Sequence, residues 1–118
     1  AIVGAGPIGL AAVATARLYS PAHIVVVDKA ESRLQAAKLF GADTTVVAGA
    51  EDPLGTVRAL TGGLGADVVI EAVGTPQTFE LCATLAVETG TTTGSSARAT
   101  AAARERTRMA TPPHAHVG

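Results

Sequence analysis

A doubly wound α/β fold with a parallel sheet is predicted by three observations. Short β-branched runs alternate with longer Ala- and Leu-bearing stretches, and no hairpin signal separates them. The first run leads straight into Gly4, Gly6 and Gly9, spaced G-x-G-x-x-G. An acid, Asp28, follows Gly9 by 19 positions and closes the second run. Strand, glycine turn, helix, strand and acid in that order mark a Rossmann-type unit that binds a dinucleotide. Right-handed crossovers then give a sheet of about four strands in the order 3-2-1-4.

Ala1-Ile2-Val3 is the first strand. It is too short for a central strand, and no initiator Met precedes it, so further residues are expected upstream. Gly4 lets the backbone turn sharply off this strand. Gly6 lets a pyrophosphate approach the main chain, and Gly9 lets the next helix pack close to the sheet. Pro7 suits the first helical position, where its missing N–H is one of the unpaired donors. The free N–H groups there, with the helix dipole behind them, form an anion site. Taken alone, the glycine spacing also fits a plain Gly-rich turn, and its surroundings decide the matter.

The first helix runs from Pro7 to Tyr19, with Ile8, Leu10, Val13 and Leu18 as its larger apolar groups, and Ser20-Pro21 ends it. His23 to Val27 is a β-branched strand buried on both faces, ending at Asp28. Asp28 stands where such folds place an acid that accepts the adenosine ribose hydroxyls. The alternative is a strand-end Asp that caps the next helix. Opposite a 2′-phosphate a carboxylate meets like charge, so Asp28 argues for NAD over NADP. Lys29 and Arg33 lie near enough in sequence to soften that preference.

Ala30 to Phe40 is a helix with Leu34, Ala37 and Phe40 on one face, stopped by Gly41. Thr44 to Val47 is the third strand. Glu51 to Leu60 is a helix, broken by Thr61-Gly62-Gly63. Ala66 to Val73 is the fourth strand, ended by Gly74. Thr75 caps a helix over residues 76–85 whose larger apolar groups are Phe79, Leu81 and Leu85. Gly74 and Thr75 fall at the edge of the crevice between strands one and four.

The 118 residues make one domain at most. Apolar residues are 47% and charged residues 16%, as a buried parallel sheet requires. A net charge of −1 gives no reason to expect nucleic acid or an anionic membrane as partner. The single cysteine excludes an internal disulfide framework and a cysteine-based zinc site. No apolar run approaches the roughly 20 residues of a membrane span. No signal peptide precedes the fold, and a cytoplasmic, reducing setting is the default expectation. Cys82 reads as a small core residue and His23 as structural.

From Val3 to Leu85 the chain resembles the coenzyme domain of zinc-containing, medium-chain alcohol dehydrogenases. Four pieces carry the resemblance: Gly4-Ala5-Gly6-Pro7-Ile8-Gly9; Val27-Asp28 with Arg33-Leu34; Ala37-Lys38-Leu39-Phe40-Gly41-Ala42-Asp43; and Gly65 through Gly74, with the sequence G-A-D-V-V-I-E-A-V-G. The last two are far more specific than the glycine spacing. The flavour is that of bacterial threonine, sorbitol or secondary-alcohol dehydrogenases. The resemblance implies a parent enzyme that moves a hydride between an alcohol and NAD(P). It implies that Gly4, Gly6, Ile8 and Gly9 border the pyrophosphate. Asp28 would hold the adenosine ribose with Arg33 beside it, and Val73 and Gly74 would lie near the nicotinamide-side ribose. The family's zinc is held in a separate catalytic domain, so no catalytic and no metal-ligating residue is expected here. The parent family is commonly homo-oligomeric. The expectation is thus a partial NAD-binding domain, inactive in hydride transfer by itself. The alternatives are a non-catalytic dinucleotide-binding module and a non-functional fragment.

After Leu85 the character changes. Residues 86–118 contain no Ile, Leu, Phe, Tyr or Trp, and Ala and Thr supply 8 and 7 of them. Such a segment buries too little apolar surface to offset its ordering entropy, so it reads as a disordered tail. A frame-shifted translation of a GC-rich gene and a genuine extension both account for it. Ala97 to Met109 has the composition of a marginal helix. Arg98, Arg104, Arg106 and Arg108 read as a solvated face. His114 and His116 lack a third metal ligand.

Overall fold

The computed structural model describes residues 1–93. The elements are β1 (Ile2–Val3), α1 (Pro7–Ala16), a 3-10 turn (Arg17–Tyr19), β2 (Val25–Asp28), α2 (Glu31–Phe40), β3 (Thr44–Val47), α3 (Pro53–Leu60), β4 (Ala66–Glu71), α4 (Pro76–Leu85) and β5 (Ala86–Thr93). They form one sheet in the order β3-β2-β1-β4-β5, and every pair is parallel. The expected order 3-2-1-4 is present, and a fifth strand continues it.

That fifth strand corrects the expectation of four strands and of a disordered tail from residue 86. Residues 86–93 pair with β4, first at Ala66 and Ala86 and then, past an irregularity, at Val68 with Thr91 through Ile70 with Thr93. An open β4 edge offers unpaired N–H and C=O groups, which a neighbouring backbone satisfies whatever its side chains. The Arg run, the His114–His116 pair and the helix over 97–109 lie outside the described residues.

Alternation along the central strands sends side chains to two faces, and each face has its own core. On one face Ile2, Ala5, Val13, Ile24, Val26, Leu34 and Ala37 pack beneath α1 and α2. On the other, Val3, Val25, Val27, Val46, Val69, Cys82 and Leu85 pack with Val57 of α3 and with α4. β2 is buried along its whole length, as expected of a central parallel strand.

Three helix expectations change. Phe40 is 48% exposed, whereas Leu34 and Ala37 are buried. Steps of three residues fall short of a full turn, which leaves Phe40 about 120° around the helix from Leu34. Ile8 and Leu18 of the first helix are also exposed; the regular helix ends at Ala16, and Leu18 sits in the 3-10 turn. The third helix begins at Pro53, not Glu51, because the Glu51 carboxylate accepts the Val47 N–H at 2.6 Å, outside the helix.

The Ala37-to-Asp43 piece has a structural account. Gly41 ends α2 at φ +118°, and an Asp43 oxygen accepts the Ile24 N–H at 2.7 Å, tying the start of β2 to the loop before β3.

Candidate functional site

The strand order reverses between β1 and β4, which is where open α/β sheets bind ligands outside the carboxyl ends of the strands, and the glycine turn leaves β1 at that end. Gly4 has φ +107° and donates its N–H to Val27 O at 2.8 Å. A Cβ on Gly4 would stand 2.8 Å from Val73 Cγ2 and 3.0 Å from Ala72 O. A Cβ on Gly9 would stand 1.8 Å from Gly4 O. Both glycines are therefore required by the fold itself. Gly6 is different: its φ is −75°, which any residue adopts, and a Cβ there would meet nothing within 4 Å. The bare side of Gly6 opens onto the start of α1.

That helix start carries no cap of its own. Pro7 occupies the first turn, no side chain caps it, and no acid lies within it. Its leading N–H groups have no partners inside the helix, and the helix dipole makes this end positive. A phosphate group fits such an end. Pro7 and Ile8 are exposed at its rim.

Asp28 closes the β2 side. Its Oδ2 accepts the Ala5 N–H at 2.8 Å and its Oδ1 accepts the Ala30 N–H at 2.7 Å. Arg33 Nη1 lies 3.9 Å from Oδ2, on an exposed side chain. The side chain of Asp28 is only 7% exposed. No side chain caps α2, whose N-cap is Ala30, so the capping role does not appear in that form. The acid braces the residue before α2, and it also reaches across to the glycine turn. Lys29 points outward and is exposed.

The β4 side is the loop 72–74. Ala72 donates its N–H to Val3 O at 2.8 Å, which lays the loop against the end of β1. Val73 is half-exposed, and Gly74 has φ +89° with open space where a Cβ would stand. The sequence reading missed what supports this loop. Glu71 is 4% exposed, and its Oε1 accepts the N–H groups of Val73 at 2.8 Å and Gly74 at 2.7 Å, and the Thr78 hydroxyl at 2.8 Å. An acid at the end of an otherwise apolar parallel strand is the signal that would have found it. The structure thus brings Gly4, Gly6, Pro7, Ile8, Gly9, Asp28, Val73 and Gly74 to the same end of the sheet, with Arg33 beside Asp28 and Lys29 exposed.

Other reactive groups stand apart. Cys82 is fully buried, and burial, aided by the negative charge of Glu71, pushes its thiol up to about 12. His23 Nε2 lies 2.7 Å from Thr44 Oγ1 at the opposite end of the strands. A mostly apolar cleft of about 280 Å³ opens at that end, lined by Ala1, His23, Leu60 and Val68 among others. Among the described residues, no three His, Cys, Asp or Glu side chains cluster so as to hold a metal ion. No helix among them is long and apolar enough to cross a membrane.

A family model described as zinc-binding dehydrogenase matches residues 7–110. An L-threonine 3-dehydrogenase of Bacillus subtilis is 50% identical over 76 residues, which cover 64% of this chain and 22% of that protein. An erythritol/L-threitol dehydrogenase of Mycolicibacterium smegmatis is 41% identical over 73 residues, 62% of this chain and 20% of that one. Among solved structures, the apo zinc dependent alcohol dehydrogenase 2 from Streptococcus pneumonia superposes with a TM-score of 0.73 at 44% identity, covering 77% of this chain and 27% of that one. The chain spans between a fifth and a third of the length of these relatives.

Proposed function

This chain belongs to the zinc-binding dehydrogenase family, and from that premise we propose that it is the NAD-binding part of an alcohol dehydrogenase. The observation that carries this reading is Gly6. The fold does not need glycine there, yet its bare side faces an uncapped helix start, where a pyrophosphate would lie against the main chain. The exposed rim groups Pro7 and Ile8 would flank it.

Asp28 would accept the adenosine ribose hydroxyls. An ionised carboxylate offers about four acceptor positions, and the two backbone bonds leave capacity for a diol. A 2′-phosphate there would meet the same negative charge, which supports NAD over NADP. Arg33 offsets part of that charge from 3.9 Å. On the other side of the turn, the backbone of Val73 and Gly74 would line the nicotinamide half.

The bound nicotinamide would supply the hydride chemistry. The residues of this chain would bind and orient the cofactor in a parent enzyme that acts on an alcohol. The similarity to polyol and threonine dehydrogenases supports an alcohol as the parent's substrate class.

The test is a parallel titration of the purified chain with NADH and NADPH, read by nicotinamide fluorescence. Saturable binding with NADH tighter than NADPH is the expected result. Tighter NADPH binding would overturn the role given to Asp28, and no binding of either would overturn the proposal.

A further inference from the structure

We propose that Glu71 is a positioning residue that sets the berth of the nicotinamide half of the dinucleotide; this rests on reading the chain as a dinucleotide binder. A nearly buried acid at the end of β4 carries a desolvation cost that only good hydrogen bonds offset. Three donors meet at its single oxygen Oε1, from Val73 N, Gly74 N and Thr78 Oγ1, all within 2.7–2.8 Å. Two of the three are successive backbone N–H groups of the loop that walls the crevice. Bonds to an ionised acceptor are about twice as strong as neutral ones, so the charge on Glu71 tightens this loop.

The loop lies between the end of β1 and α4, and Glu71 touches both. Glu71 pairs with Val3, the residue before Gly4, and the loop's Ala72 N–H bonds to Val3 O. At the far end, Thr75 and Thr78 cap α4 reciprocally, and Thr78 also donates to Glu71. The end of β4, the loop and the first turn of α4 therefore form one unit, centred on one carboxylate oxygen. Gly74 keeps an open floor in that unit.

Asp28 serves the opposite flank, through the Ala5 and Ala30 N–H groups. The two acids divide the crevice. Loss of charge at Glu71 should therefore weaken ligands that carry a nicotinamide half, and spare those that stop at the diphosphate.

The experiment compares NADH with ADP on the full chain and on Glu71→Gln, which keeps the side chain's reach and removes its charge. The expected result is about a tenfold weaker NADH affinity, the equivalent of one charge-assisted hydrogen bond, with ADP affinity unchanged within about twofold. Without ligand, the amide proton resonances of Val73 and Gly74 should move upfield in the variant, as their acceptor weakens. If Glu71→Gln does not fold, Thr78→Val removes one of the three donors and should show the same split at smaller size. Equal losses for NADH and ADP, or unchanged NADH affinity, would overturn the proposal and leave the dinucleotide reading standing. A wild-type chain that binds neither ligand would overturn that reading and this assignment with it.

Discussion

The carboxylate of Asp28 accepts the backbone N–H of Ala5 at 2.8 Å, so the acid that ends β2 also braces the glycine turn after β1. Removing it leaves two backbone donors, of Ala5 and Ala30, without their acceptor. Asp28→Ala should lower stability by about 1–3 kcal/mol in urea unfolding, the cost of unsatisfied buried groups. Asp28→Asn keeps one acceptor oxygen and should lose less. It should also narrow the preference for NADH over NADPH. A variant that kept full discrimination would show that another residue excludes the 2′-phosphate.

Gly6 and Gly9 should separate binding from folding. A Cβ on Gly9 would collide with Gly4 O, so Gly9→Ala should abolish the cooperative thermal transition. Gly6→Ala meets no protein atom and should cost under about 1 kcal/mol, the scale of an altered helix cap. Its NADH affinity should fall at least tenfold, since the methyl group would occupy the space offered to the pyrophosphate. Retained NADH binding in Gly6→Ala would remove the observation on which the proposed function stands.

Leu34 and Phe40 should contrast in stability. Leu34 is 2% exposed beneath α2, and Leu34→Ala should destabilise by about 2–5 kcal/mol, combining lost transfer energy with a cavity. Phe40→Ala should change stability by less than about 0.5 kcal/mol, as exposed substitutions do. Equal losses would mean that something in solution covers the exposed end of α2.

Cys82 should resist iodoacetamide at pH 8 until the chain unfolds, because its thiol is buried and raised to about 12. The raised value also predicts an alkaline weakening. Below the ordinary value of 9.0 the thiol is neutral in both states and its contribution is complete. As pH rises from there towards 12, the unfolded chain releases the proton first, and the native state loses ground. Cys82→Ala should remove that part of the decline. Chemical denaturation at pH 8, 9.5 and 11 checks it.

The legible features were those written in neighbouring residues. The glycine spacing, Asp28 after its β-branched run and the cap at Thr75 are local patterns, and each stands where local chemistry puts it. A three-residue repeat resembles a helix face over one turn and drifts off it over two, which is why Phe40 stands exposed while Leu34 is buried. Glu71 was passed over because its partners, Val73, Gly74 and Thr78, meet it only when the loop folds back. β5 was illegible for another reason. It pairs with the edge of β4, which belongs to a different stretch of chain.

The reversal of strand order between β1 and β4 has a consequence for the sequence of folding events. Asp28 and Ala5 are 23 positions apart, whereas Ala1 and Val68, which join β1 to β4, are 67 apart. Closing the longer loop costs about 1 kcal/mol more in chain entropy than closing the shorter one. The Asp28 flank can therefore assemble on a half-built chain, while the opposite flank waits for the longest-range contact in the central sheet. A ligand that bridges the two flanks acts as a late clasp. It should slow unfolding more than it speeds folding, because it grips a junction that closes near the end of the route.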